Sequence, residues 1–356
     1  MENHLTLLGL KRFMRTGFFL LIVFIFSLKS CLDPIEFDQP RGLEDALVIQ
    51  GLLLKGSPSR VEIRITRLFN FNTSSFGRVT PIEAHIIDQD GNKLELEKRG
   101  EGILRLTIPD DHPDFPIKYN RSYRIEFQMP SGGVIVSDLE PLIPVTRIDS
   151  IHNEMIIKFV QDPMDRDKSI LDTFIRFSVD TQLKLEDQQD YARFRWLADR
   201  TFRFTEAPQF EPPTDTCYIT QATDLFQPRL FDGNVLKDDY LNRQVVYDQY
   251  LDFKFAEGYI FSVYQESLSE GAFAYWDQVD QLLNRTGDMF ETPAGIAFSN
   301  LRYTDNREEQ IYGYFYCTER DTLRKYISPM SIMPRRDTFC TGLSRDGGIL
   351  PITCFR

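Results

Sequence analysis

Between Leu47 and Glu140 the chain breaks into seven short apolar runs separated by turn residues, and that rhythm constrains the fold more than any other feature. Leu47–Leu54 reads as a buried strand. Val61, Ile63 and Ile65 alternate with Glu62, Arg64 and Thr66, which places the apolar set on one face of a second strand. Ala84–Ile87 and Leu94–Leu96 flank Asp88-Gln-Asp-Gly-Asn92, where Asp90-Gly91 is a hairpin signal. Ile103–Ile108, Tyr123–Phe127 and Val134–Leu139 complete the set. An immunoglobulin-like or transthyretin-like β-sandwich is expected over residues 47–141.

Pro141 and Pro144 mark a break, and a second, larger β domain is expected over 146–356. Its first strands are Ile148–Phe159 and Asp172–Val179, with Ile148, Ile151, Ile156, Ile157 and Phe159 expected to bury one face. Tyr191–Leu197 and Thr201–Thr205 alternate aromatics with arginines and read as a half-exposed sheet face. Gln244–Phe255 and Tyr259–Tyr264 follow, turned by Glu257-Gly258. Phe273, Trp276, Val279, Leu282 and Leu283 change to helical spacing, which predicts one inserted helix near 270–286 with Gly287 as its stop. Ile311–Cys317 returns to strand, and the segment from Pro329 reads as irregular. The expected class is all-β, with two β-sandwich domains.

Ahead of these runs stands a basic region with Lys11, Arg12 and Arg15, then an unbroken apolar run from Phe18 to Phe26, then Ser27-Leu-Lys-Ser-Cys31. That order is a secretory signal peptide over residues 1–30. The run rises only about 15 Å as a helix, roughly half a hydrocarbon core, so export and removal are expected. Leu28 and Ser30 before Cys31 resemble a bacterial lipobox, and lipid on Cys31 would anchor the mature chain to a membrane. Residues 31–46, acidic and proline-bearing, read as a tether. Without residues 1–30 the chain carries 37 basic and 52 acidic residues, a net −15, which opposes nucleic acid as a partner.

Four further cysteines, Cys217, Cys317, Cys340 and Cys354, have neither zinc-knuckle nor CxxC spacing, and in an exported chain they read as disulfide candidates with three possible connectivities. Catalytic signatures are thin. His85, His112 and His152 each stand alone, with no HExxH, GxSxG or phosphate loop, so no enzyme activity, metal or cofactor is expected. Asp88, Asp90 and Asn92 lack the rest of a calcium loop and read as a turn. Asp110, Asp111, His112 and Asp114 read as a solvated loop between prolines.

Several motifs point to a known family. Leu47-Val-Ile-Gln-Gly51, Asp88-Gln-Asp-Gly-Asn92, Phe194-Arg-Trp196, Ala274-Tyr-Trp-Asp277, Asn284-Arg-Thr-Gly-Asp-Met-Phe290 and Tyr312-Gly-Tyr314 occur in that order. In these the mature chain resembles the Bacteroidetes outer-membrane lipoproteins grouped as the domain-of-unknown-function 4249 family. It departs at Phe298-Ser-Asn-Leu301, where the family often has Gly-Asn-Ile. The resemblance implies genomic company with TonB-dependent transporters. Asp33, Glu36 and Asp38 are similar to the surface-export signal of that phylum, which implies the outer membrane with the chain facing the cell exterior. The expectation is a non-enzymatic accessory that docks on such a transporter and helps capture an unidentified ligand. The alternative is a structural, adhesin-like or envelope-assembly lipoprotein that binds protein partners.

Overall fold

Period-2 alternation in the first hundred residues of the fold produces nine strands: β1 (Leu47–Lys55), β2 (Ser59–Arg67), β3 (Glu83–Asp88), β4 (Lys93–Glu95), β5 (Glu97–Gly100), β6 (Ile103–Ile108), β7 (Ser122–Gln128), β8 (Val134–Ser137) and β9 (Glu140–Pro141). The computed structural model describes residues 46–68, 77–165, 167–184, 190–205, 216–223, 228–236, 238–284, 297–305 and 309–330. β2 shows the alternation cleanly, with Val61, Ile63 and Ile65 buried between exposed Arg60, Glu62 and Arg64. The run Leu94–Leu96 does not end a single strand. β4 pairs with β3, β5 pairs with β6 in a different sheet, and the chain changes sheets at buried Leu96.

The second half adds β10 (Ile148–Gln161), β11 (Ser169–Gln182), β12 (Arg193–Thr205), β13 (Thr216–Ala222), β14 (Arg229–Asp232), a helical turn α1 (Gly233–Leu236) and β15 (Tyr240–Tyr250). β16 (Tyr259–Ser267), α2 (Glu270–Leu283), β17 (Leu301–Tyr303) and β18 (Ile311–Ile327) complete the described chain. The two aromatic–arginine runs are one strand, β12. Helix α2 begins where its spacing predicts: the Ser269 hydroxyl accepts from the Ala272 amide at 3.0 Å. It closes at Asn284, whose amide donates to the Asp280 carbonyl. Gly287, the expected stop, lies outside the described residues.

The fold is mostly β. Its strands form three sheets and, among the described residues, no barrel. A nine-stranded sheet runs β13-β12-β16-β18-β1-β2-β6-β5 with β14 also on β12. A six-stranded sheet runs β17-β8-β7-β3-β4 with β9 on β7, and β10-β11-β15 form the third. β18 ties the molecule together. Residues 311–319 run parallel to β1, with Ile311 opposite Leu47, and residues 320–327 run antiparallel to β16, with Ile327 opposite Tyr259.

Two main cores follow from this. Ile49, Leu53, Ile63, Ile86, Ile125 and Phe127 form the first, which also takes Leu301, Phe315 and Cys317 from late in the sequence. Phe177, Phe194, Trp196, Phe202 and Phe261 lead the second, where the Phe177 and Phe261 rings stack at 3.9 Å. The parallel pairing brings backbones close. Gly313 takes φ +92°, and a Cβ there would stand 2.0 Å from the Ile49 carbonyl oxygen.

One expectation fails along β10. Ile148 and Ile151 are buried, but Ile157 is 68% and Phe159 75% exposed. Periodicity marks a face as apolar without saying whether a second layer covers it.

Candidate functional site

The motifs that carry the family resemblance converge. Phe194-Arg-Trp196 lies on β12, Ala274-Tyr-Trp-Asp277 on α2 and Tyr312-Gly-Tyr314 on β18. The Arg195 guanidinium carbon sits 3.6 Å from the centre of the Trp276 ring, and Tyr275 stacks on Tyr314 at 4.9 Å. Beneath them Glu266 of β16 is fully buried. Its Oε1 accepts from Arg320 at 2.5 Å, and Arg195 Nη1 lies 3.7 Å from Oε2. Arg195 Nη1 also donates to the Tyr316 hydroxyl at 2.9 Å, and burial raises the pKa of that hydroxyl, so it stays neutral. Both Glu266 oxygens are therefore engaged, and the cluster ties α2 to β12, β16 and β18.

The start of α2 is held by a second carboxylate. The Ser269 hydroxyl donates to Glu140 at 2.6 Å, and the Tyr314 hydroxyl donates to the same group. Burial raises the pKa of Glu140, against the hydrogen bonds from Ser269, Tyr314 and Asn300 that lower it. Gly271 lets the helix start approach this group closely: a Cβ would stand 2.5 Å from the Tyr314 hydroxyl, which would have to shift. The half-exposed reading of β12 thus fails at its first end: Arg195 is 8% exposed between buried Phe194 and Trp196. An arginine flanked by aromatics is also what a sheet surface looks like, and its partner Glu266 is distant in sequence.

One histidine has a partner that the sequence did not reveal. His152 Nε2 lies 2.5 Å from Asp180 Oδ2 and 2.9 Å from Ser150 Oγ, while Ser150 Oγ donates directly to Asp180 at 2.7 Å. A nucleophilic relay needs the two ring nitrogens on different partners, with one facing the hydroxyl and the other the carboxylate. Here Nε2 meets both. Burial raises the Asp180 pKa, but the Arg243 amide, His152 and Ser150 outweigh it and hold the carboxyl at about 2.

A cavity of about 240 Å³ is lined in part by Lys158, Phe174, Trp196, Arg229, Val246 and Asp248. Lys158 and Arg176 both pair with Asp248, the latter at 2.9 Å. The volume is at the small end for ligand pockets, and its wall carries three charged groups.

Among the described residues, the β10–β11 hairpin carries a strip of exposed apolar side chains. Met155, Ile157 and Phe159 share a face with buried Ile151. Leu171, opposite Phe159, shares it with buried Ile175 and Phe177. Exposure climbs along that face from Ile151 at 5% to Phe159 at 75%, with Leu171 at 61%. The hairpin's far end has run past the core.

The other residues singled out from sequence fall as follows. Asp88 closes a hairpin turn, accepting from the Asp90 and Asn92 amides at 3.0 and 2.9 Å, with Gly91 at φ +88°. His112 Nδ1 accepts from the Phe115 amide, and Asp110 accepts from the Ser57 hydroxyl. Cys317 is a correction to the disulfide candidates: it is a free, fully buried thiol. It sits in the first core opposite Leu53, whereas Cys217 sits in the second opposite Phe204, so those two do not meet. Cys217 is not a free thiol. Cys31, Cys340 and Cys354 lie outside the described residues, as does the motif segment 285–290.

These features define a β-rich chain built around a buried aromatic–arginine joint. The family profile described as a domain of unknown function (DUF4249) matches residues 33–324, and the chain belongs to that family. No curated protein and no solved structure matches it.

Proposed function

We propose that the protein is a lipid-anchored outer-membrane lipoprotein without enzymatic activity. It docks on a partner in the membrane, a TonB-dependent transporter in the setting the family resemblance implies, and helps that transporter capture or admit its ligand. The exposed strip of Met155, Ile157, Phe159 and Leu171 carries this reading, because a contiguous apolar surface on a folded domain marks a protein or membrane contact. Lipid on Cys31 supplies the anchor, residues 31–46 the tether, and two β-sandwiches, the first immunoglobulin-like, the rigid body that presents the hairpin. A bridge from Cys217 to Cys340 or Cys354 would fix the C-terminal segment to the second core.

The charged wall of the cavity favours a protein partner over small-molecule capture by this chain alone. That observation also supports the second reading, a structural, adhesin-like or envelope-assembly lipoprotein. A tagged full chain recovered from its native outer membrane in mild detergent separates the two. The transporter reading expects a stoichiometric β-barrel transporter that is lost on Ile157→Ser with Phe159→Ser. Recovery with envelope-assembly proteins selects the second reading, and recovery alone sinks both.

A further inference from the structure

The cavity of about 240 Å³ takes its lining from two sheets. Lys158, Phe174 and Asp248 come from the third sheet, and Trp196 and Arg229 from β12 and β14 of the nine-stranded one. Asp248 is the one carboxylate among the described lining residues, and Arg176 already takes both of its oxygens, at 2.9 and 3.1 Å. Lys158 adds a second cation to that group and lies 5.2 Å from the centre of the Phe174 ring. Asp172, opposite Lys158 in the β10–β11 ladder, is engaged by the Tyr250 hydroxyl, and Glu154 stands opposite Arg176. Arg229 is exposed and has no side-chain partner among the described residues.

The rest of the wall is already committed. Trp196 Nε1 donates to Gln265 at 2.9 Å, and the Thr223 hydroxyl donates to the Ala198 carbonyl at 2.8 Å. What the lining has left to offer is the ammonium of Lys158, with three donors, and the guanidinium of Arg229, with five. In a chain of formal net charge −12 this surplus of cations is local. It faces an apolar floor of Phe174, Trp196 and Val246. A strongly hydrated inorganic anion would lose water against that floor with nothing to replace it. An anion with a carbon skeleton uses both parts of the wall. The cavity exceeds the roughly 150 Å³ in which a benzene ring fits, so an apolar group and a carboxylate can enter together.

We propose that this cavity binds an organic carboxylate, with the anionic group held by Lys158 and Arg229 and the carbon skeleton against Phe174 and Trp196. Charge-assisted hydrogen bonds of this kind are the strong ones, and they fix the orientation of the guest. The chemistry is the same whether the carboxylate belongs to a free acid or to an acidic side chain that a partner presents. Lys158 alternates with Ile157 and Phe159 along β10 and so projects from the opposite face of the strand. The site is therefore separate from the apolar strip, and the proposal does not rest on the docking reading.

Phenylacetate titrated calorimetrically into the purified full chain in mild detergent should fill a single site. Phenylacetamide, its neutral counterpart, and inorganic phosphate should each bind about tenfold more weakly or worse. Arg229→Gln should weaken phenylacetate about tenfold while thermal unfolding stays unchanged, since that side chain holds nothing in the fold. Lys158→Gln should weaken it as well, with Asp248 kept on Arg176. Ile157→Ser with Phe159→Ser should leave it unchanged, so a failure of the docking reading is distinguishable from a failure here. No binding of phenylacetate at about ten millimolar would overturn the proposal. So would equal binding of phenylacetamide or phosphate, indifference to Arg229→Gln, or loss of binding on Ile157→Ser with Phe159→Ser. Once phenylacetate binds, recovery of tagged Arg229→Gln from native outer membrane assigns the source. Loss of co-purifying protein places the carboxylate on a partner, and unchanged co-purification places it on a free acid.

Discussion

The guanidinium carbon of Arg195 lies over Trp276, 3.6 Å from the ring centre, while its Nη1 donates to the Tyr316 hydroxyl and lies 3.7 Å from buried Glu266. One side chain therefore joins α2, β12, β16 and β18. Replacing Arg195 with Ala leaves Glu266 with Arg320 as its remaining cation and removes the packing under the helix. Breaking a buried pair in this way costs about 3 kcal/mol. The denaturant midpoint should fall accordingly, and Trp276, one of two tryptophans in the chain, should shift its emission to the red. Arg195→Lys should recover less than half of the loss, since an ammonium cannot stack as a planar fork does. Equal stability of the Ala variant and the parent would show that the cluster does not hold the helix.

Gly313 and Gly91 both have positive φ, at +92° and +88°, yet their surroundings differ. Around Gly91 nothing lies within 4 Å of a new Cβ, so Gly91→Ala should cost about 1 kcal/mol, the conformational penalty alone. At Gly313 the same methyl would collide with the Ile49 backbone, so β1 and β18 must separate. Gly313→Ala should cost several times as much, on the order of 3 kcal/mol or more. Chemical denaturation of the two variants side by side checks the contrast, and equal losses would mean that the β1–β18 pairing gives way freely.

These sites also show how far the sequence could be read. Val61, Ile63 and Ile65 were legible because alternation is a local property and one face of β2 is buried along its length. Helix α2 was legible for the same reason, in the spacing of Phe273, Trp276, Val279, Leu282 and Leu283, while its cap Ser269 emerges only from the structure. The pairing of β18 with β1 was not, because nothing in Ile311–Cys317 says which distant strand lies beside it. Ile157 and Phe159 read as core because they continue the face of Ile151, and only the end of the second layer shows that they emerge. Arg195 read as surface because its charge is neutralised by Glu266, a partner set by the sheet rather than by spacing. Ser150 and His152 stand two apart on β10, but Asp180 reaches them only through the β10–β11 register.

Asp180 makes the acid stability of that hairpin predictable. Its carboxyl is held at about 2 in the folded chain, below the usual unfolded value of about 3.9. A depressed folded value contributes stability that is fully present above about pH 4 and is lost as pH falls toward 2. After allowance for solvent screening the contribution is about 1 kcal/mol. Asp180→Asn should therefore be less stable than the parent at neutral pH by about that amount, and the gap should close between pH 4 and 2. Urea titrations of both chains across that range provide the measurement, and a gap that is flat down to pH 3 would contradict the assignment.

Cysteine chemistry separates the two cores. Cys317 is fully buried in the first, and burial pushes its thiol well above the ordinary range, so little thiolate is present to react. Alkylation of the native chain should leave the Cys317 peptide unmodified, and the same reagent in denaturant should label it completely. Cys217 belongs to the second core and should resist alkylation in denaturant as well, until a reductant is added. Digestion without reduction should then recover Cys217 linked to Cys340 or Cys354, which decides between the two connectivities that a free Cys317 leaves for it. A bridge from Cys217 to the C-terminal segment closes a loop of more than a hundred residues, worth up to about 5 kcal/mol by loop entropy. Reduction should lower the unfolding midpoint, and the Cys217→Ser variant should start from that lower value and be insensitive to reductant. Recovery of Cys317 in any disulfide peptide would contradict the burial on which this separation rests.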